Sequence, residues 1–369
     1  MRTLKNIFIV LLTISIGSCV DKIDTNFTFN SSVLTVQGLV SDKNTTQVLI
    51  NQSISNGTNV LSNPINGCKV EIIVNNSIRV LLTETEPGVY LPPVDFIGIA
   101  GNSYQLVIKT PDGKNYESSV EKIVASPPIK NVYQKFNQSG QLSADGKRVL
   151  YSTFDVFVDF DDNPNQKNFY LWEYDLYEPI DYCITCEKGV LIGLSCVNVS
   201  GNRENSPTYD YVCRTNCWDI LRNKTINIFS DEYSNGKSVV GRNVAKVPYY
   251  GTRSALLEVH QNSVSREAYE YQKLLRDQTQ TSGTLTDTPP AAIVGNIRNV
   301  NNPSEKVVGS FSAVGISQAK YVVDRSGYEK TGIFTSILGR EPVVEPPSPF
   351  RPPTMPCIVS RTRTTSLPK

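Results

Sequence analysis

The chain has 369 residues, of which 36 are basic, 35 acidic and one a histidine. A formal net charge of +1 with no basic run lacks the electrostatic footprint of a nucleic-acid binder. The lone His260 excludes multi-histidine metal sites and leaves one imidazole for any Ser-His-Asp or Cys-His constellation.

Arg2 and Lys5 precede an apolar stretch, Ile7 to Ile16, interrupted only by Thr13 and Ser15. At about ten residues it has the length of a signal-peptide core and is too short to span a bilayer. Ile16-Gly17-Ser18-Cys19 follows: an aliphatic residue, two small residues and a cysteine, the pattern of a lipobox. Residues 1–18 are therefore read as a signal peptide. Cys19 is the lipidation site, and residues 19–31 form a lipidated tether. Each buried methylene of the acyl chains adds ~0.8 kcal/mol of membrane affinity. The covalent lipid is the only prosthetic group expected. Two basic residues leave with the leader, so the mature chain is near neutral. No later apolar run reaches the length of a spanning helix.

Beyond the tether, the richness in Asn, Ser, Thr, Val, Ile and Tyr favours strands. Residues 32–126 carry the strand candidates 33–40, 47–54, 69–75, 78–86 and 104–113. Turn chemistry separates them at Asn56-Gly57, Asn75-Asn76, Pro87-Gly88 and Asp112-Gly113. Short alternating strands at this spacing predict an N-terminal immunoglobulin-like β-sandwich. Ala125-Ser126-Pro127-Pro128 reads as a linker.

Residues 127–341 are expected to form a larger β-sandwich domain. Strands fall at 152–160, 168–178, 225–231, 238–249, 254–263, 306–317 and 320–325, with Phe154, Val156, Val158 and Phe160 on one face. His260 alternates with Leu257 and Val259 and is placed on the wetter face. The one convincing helix lies near 265–278, with Ser265 as N-cap and Ala268, Tyr271, Leu274 and Leu275 at helical spacing. A Cys-rich insertion, 179–218, has little regular pattern and is the first candidate for a contact surface. Residues 342–369 form a Pro-rich C-terminal tail, extended along the body or mobile.

Six cysteines, Cys183, Cys186, Cys196, Cys213, Cys217 and Cys357, are disulfide candidates, since exported thiols are oxidised. Two other chemistries fit the spacing. Cys183-x-x-Cys186 with Cys213-x-x-x-Cys217 has the form of a zinc knuckle. The same Cys-x-x-Cys has that of a redox motif, although it stands in a polar loop rather than opening a helix. Cys68 is free or distantly paired. Asp159, Asp161, Asn163 and Asn165 open like a calcium loop, but Pro164 and Tyr170 replace its glycine and bidentate glutamate. A proline-containing Asx turn is the alternative. Tyr170, Trp172 and Tyr174 share a strand face that is either core or a ligand platform. Together with Trp218 they are the possible ligand or partner contacts. No metal site, and no catalytic nucleophile-base pair, is assigned.

Several segments resemble a large family of Bacteroidota outer-membrane lipoproteins catalogued as a domain of unknown function. They are DDNPNQKNFYLWEYDLY, CW followed by TINIFSDEYSNG, SREAYEYQKLL, PPAAIVGNIRNVNNPSEKVVGSFSAVGIS and a late Pro-Cys-x-Val. The GNIRN and GSFSA pair is the most specific part. The resemblance covers the mature chain, and the C-terminal ending departs from the family's usual one. It implies a neighbouring TonB-dependent receptor barrel as partner. It also implies a place on the outer membrane, lipid-anchored, at the cell surface rather than the periplasmic face. Asp21 and Asp24 stand where acidic residues accompany surface export in that group. The function expected is that of a non-enzymatic accessory or substrate-binding partner in nutrient uptake. The alternative is a free-standing surface adhesin or glycan- or peptide-binding lipoprotein.

Overall fold

A computed structural model of the chain describes residues 32–43, 45–56, 59–142, 150–199, 203–279, 293–328, 341–349 and 354–368. The expected signal peptide, lipidation site Cys19 and tether lie outside these residues. The fold is mostly β, as expected from composition, with one α-helix among the described residues. Among the described residues no helix is long and apolar enough to cross a membrane.

The first nine strands are β1 (Ser32–Ser41), β2 (Gln47–Asn56), β3 (Asn59–Pro64), β4 (Lys69–Val74), β5 (Ile78–Glu86), β6 (Val89–Leu91), β7 (Ser103–Lys109), β8 (Asn115–Ser118) and β9 (Glu121–Lys122). Period-two alternation drives them. In β4 and β7 every second residue is buried, placing Val70, Ile72, Tyr104, Leu106 and Ile108 in one core. The Asn75-Asn76 turn adopts left-handed backbone at both residues, φ 50° and 57°, which asparagine tolerates better than other non-glycine residues.

The second group comprises β10 (Ile129–Leu142), β11 (Leu150–Asp161) and β12 (Phe169–Pro179). The insertion adds β13 (Tyr182–Cys186), β14 (Val190–Ile192), β15 (Ser195–Val197), β16 (Tyr209–Cys213) and β17 (Trp218–Arg222). Then come β18 (Asn227–Ser230), β19 (Ser238–Pro248), β20 (Ala255–Val264), α1 (Arg266–Thr279), β21 (Ile297–Asn299), β22 (Val307–Val323), β23 (Thr354–Met355) and β24 (Arg363–Thr364). β10, β11 and β19 make a separate sheet facing β12 and β20. Between them lies a second core of Phe154, Val156, Val158, Phe160, Tyr170, Trp172, Leu257 and Val259. Ser265 caps α1, its Oγ accepting the Ala268 amide at 3.1 Å.

Chain order and spatial order differ. β22 is one continuous strand where the sequence suggests two, at 306–317 and 320–325. Its first half, Val307 to Val314, runs parallel to β1. Its second half, Gly315 to Val323, runs antiparallel to β20. β21 pairs with β8. Residues 297–314 thus complete the sheet begun by residues 32–126, and Ile297, Val307 and Phe311 enter the first core. The GNIRN and GSFSA segments form the clasp. Asn296 Oδ1 accepts the Phe311 amide and its Nδ2 donates to the Phe311 carbonyl, both at 2.8 Å. A Cβ on Gly295 would stand 1.5 Å from the Gly309 carbonyl oxygen, and one on Gly309 1.8 Å from that of Val36. Gly309 also has φ +118°, a backbone that side chains other than hydrogen rarely adopt.

The insertion and the tail fold together. Cys183–Cys213, Cys186–Cys196 and Cys217–Cys357 are disulfides. Far from lacking regular structure, the insertion holds short strands around a third core of Ile180, Leu191, Tyr211 and Met355. The tail packs along it. β23 pairs with β16, β24 pairs with β17, and Val344 bridges Asp210. Cys217–Cys357 closes a sequence separation of 140 residues. At that length a cross-link restricts the unfolded chain by ~5 kcal/mol on the loop-entropy account.

Candidate binding groove

The groove originates in how β12 is paired. β17 bonds Asp175 to Pro179 and β18 bonds Phe169 to Trp172, successive stretches of one β12 edge. Between them the chain leaves the sheet at residues 223–226, opposite Tyr174. The Tyr174 amide would lose its ladder partner, and Asn223 Oδ1 accepts it instead at 3.1 Å. On the far side β18 pairs with β12 alone and β19 with β11 alone among the described residues. Side chains bridge the two edges. Asn227 Nδ2 donates to the Asn243 carbonyl at 3.0 Å, and Arg242 Nη2 to the Ile228 carbonyl at 3.1 Å. The unfilled space between the sheets is an open groove of about 1230 Å³. Tyr174, Arg242 and Tyr250 line it, Ile220 contributes from β17, Thr362 from the tail and Arg276 from α1.

Arg242 lies against aromatic rings, its guanidinium 4.9 Å from the Trp172 centroid and 5.3 Å from that of Phe229. Burial pushes its pKa down, and the like charge of Arg276 pushes the same way. Burial, with Tyr250 beside it, pushes the Tyr174 hydroxyl up to about 12, so it is protonated at neutral pH.

The sequence-designated contact residues separate here. Tyr170 and Trp172 are fully buried, at 0% exposure, and are not available to a ligand or partner. They fill the second core, where Tyr170 donates to Asp162 Oδ1 at 2.6 Å and Trp172 Nε1 donates to Gln261 Oε1 at 3.2 Å. Tyr174, half-buried, lines the groove. Trp218, also half-buried, lines a smaller pocket of about 220 Å³ against the insertion. Arg242, Lys224 and Arg276 escaped sequence reasoning. They come from three segments, and no local spacing links them.

The candidate metal and redox motifs resolve differently. Each cysteine of Cys183-x-x-Cys186 pairs elsewhere, so neither a zinc knuckle nor a redox dithiol forms there. The Sγ atoms of Cys183, Cys217 and Cys357 lie within 4.8 Å of one another, but as disulfide sulfurs they lack the thiolate charge that zinc requires. Cys68 is a buried free thiol. Asn163 Oδ1 accepts the Asn165 amide at 3.1 Å in an Asx turn, while Asp161 and Asp159 bond Ser238 and Gly241. Asp175, Glu258 and His260 also converge within 4.8 Å. Asp175 pairs with Arg222 at 3.0 Å, and Glu258 meets Lys320 at 4.0 Å. These cations already balance the acids. Burial opposes ionisation of Asp175, but His260 and Arg222 outweigh it and hold the carboxyl below the usual range.

Residues 20–320 match the family described as Domain of unknown function (DUF4249). No curated protein matches the chain.

Proposed function

The chain belongs to the DUF4249 family, and on that premise we propose that it is a lipid-anchored outer-membrane protein that binds a solute in its groove and presents it to a TonB-dependent transporter. The groove is the observation that carries the proposal. Its volume of about 1230 Å³ suits a ligand larger than a single small metabolite. Its lining among the described residues includes no carboxylate, imidazole or thiol, and its amines and phenols, Lys224, Lys246, Tyr174 and Tyr250, have no such group in the lining to activate them. Binding without chemistry accounts for such a lining. The lipobox ending in Cys19 supports the anchor, and the resemblance of the GNIRN and GSFSA segments supports the transporter.

Affinity purification of the tagged protein from detergent-solubilised outer membranes tests this. A TonB-dependent barrel is expected to co-purify, and Cys19→Ala is expected to move the protein to the soluble fraction. Recovery of the protein without any barrel would instead favour a free-standing surface binder.

A further inference from the structure

We infer that the groove is built for an acidic oligosaccharide, with Arg242 as its floor contact; this deepens, and rests on, the solute-binding function proposed above. Charge is the first ground. Of the 20 residues lining the groove, five are Arg or Lys (Arg222, Lys224, Arg242, Lys246, Arg276) and none is Asp or Glu. In a chain with 36 basic and 35 acidic residues, such one-sidedness is local. Arg222 and Arg276 are held by Asp175 and Asp277, at 3.0 and 2.9 Å. Arg242 and Lys224 have no carboxylate partner among the described residues.

Arg242 is the more telling of the two. Its rings fix the guanidinium plane, and Nη2 is used by Asn227 and Ile228. Nη1 makes no hydrogen bond among the described residues. Its Nε is buried and unpartnered as well, and a half-buried cation with free N–H groups, beside a second guanidinium, is costly as it stands. An acid group seated between Arg242 and Arg276 would satisfy the free edge and relieve the repulsion.

Shape and polarity select the rest of the ligand. The volume exceeds that of an ordinary metabolite site, so the ligand is a short chain. Tyr174 and Tyr250 offer ring surface for pyranose faces. The Asn243 side-chain amide has no partner among the described residues and is placed for a hydroxyl. An extended peptide would instead need free strand edges. The facing edges of β18 and β19 are already tied by Asn227 and Arg242.

Isothermal titration of the full chain with four probes tests the inference. They are tetragalacturonate, a sulfated chondroitin tetrasaccharide, neutral cellotetraose and tetraglutamate. At least one acidic sugar is expected to bind at least tenfold more tightly than cellotetraose and than tetraglutamate, and to weaken as salt rises. The two acidic arms separate carboxylate from sulfate recognition. Arg242→Gln is expected to lower affinity at least tenfold. Because Arg242 also packs on Trp172, the rim double variant Lys224→Gln/Arg276→Gln is the control, with its unfolding midpoint measured in parallel. It too is expected to lose at least tenfold while keeping that midpoint. The inference is overturned by equal binding of cellotetraose, by tighter binding of tetraglutamate, by binding of none of the four, or by unchanged affinity in a folded rim variant. Co-purification with a barrel is read independently, so the transporter proposal stands or falls on its own.

Discussion

The ion pair of Glu178 and Arg325 gives the sharpest test of how the second half of the molecule is held. Arg325 Nη1 and Nη2 donate to the two Glu178 oxygens at 2.6 and 2.7 Å, and Nη1 also reaches the Arg253 carbonyl at 2.9 Å. The side chains are 0% and 5% exposed. Glu178 is the penultimate residue of β12, where the insertion begins, and Arg325 follows β22, so the pair with its Arg253 contact ties three distant segments. Removing one partner from such a pair costs ~3–5 kcal/mol. The two single variants are expected to differ. In Arg325→Met the stranded Glu178 carboxyl can take up a proton, because burial already pushes its pKa up against the pull of Arg325. In Glu178→Gln the guanidinium cannot shed its charge, so that variant is expected to be the less stable at neutral pH. With the folded-state pKa of Glu178 raised above its unfolded value, its contribution is complete at low pH and is lost as pH rises through the folded value. The Arg325→Met deficit should therefore shrink between pH 7 and pH 4.5, whereas the Glu178→Gln deficit, measured against a wild type that gains stability as Glu178 takes up its proton, should grow over the same range. The double variant Glu178→Met/Arg325→Met should lie nearer the wild type than either single change. Urea unfolding of the oxidised protein, followed by tryptophan fluorescence, measures all three. A pH-independent Arg325→Met deficit, or a double variant as unstable as the sum of the singles, would show that Glu178 and Arg325 are not coupled in this way.

Asp231 is fully buried beside Asp162, its Oδ1 is unpartnered, and burial followed by that neighbouring acid raises its pKa. Its folded value lies above its unfolded value, so stability falls as pH rises through it. Asp231→Asn is expected to stabilise by about 1–3 kcal/mol at pH 8, with no gain at pH 4 by calorimetry. Gly309→Ala is expected to destabilise, through left-sided backbone strain of ~1–3 kcal/mol and a similar cost of crowding against Val36. A melting temperature equal to wild type would contradict the clasp geometry. Cys217→Ser/Cys357→Ser should free the tail, exposing residues 341–349 to limited proteolysis and removing Thr362 from the groove rim. Mass spectrometry of the digest reads the outcome, and an intact tail would count against the staple.

Much of the fold follows from local pattern. β5 spans the residues its alternation marks, Ile78–Glu86. The α1 cap is Ser265, and the exported-cysteine logic finds six sulfurs in three pairs. Long-range pairing was not legible. Nothing near Val307 signals that its partner is Leu34, since the parallel ladder is fixed by burial of Phe311 against a core built from residues 34–123. The insertion strands escaped because they run only three to five residues and are held by disulfides rather than by periodicity. The groove escaped for a different reason. It exists where ladders fail to form, and a bulge that passes from Ala245 to Asn243 opposite β11 breaks the period-two pattern of β19 beside it. For the aromatic segment, alternation correctly put Tyr170 and Trp172 on one face but did not say which side of the sheet was wet.

The partner change along β22 also sets a timetable. A chain that emerges N-terminus first has β1 long before it has residues 307–314, so β1 waits with one edge open while most of the sequence is still arriving. Closing that edge requires nearly the whole polypeptide, which defers the final collapse of the N-terminal layers. Under the export proposed above, in which the chain crosses a membrane extended, late closure would keep the leading part pliable during transit. The same delay leaves an open strand edge that invites wrong pairing until the last long strand is in place.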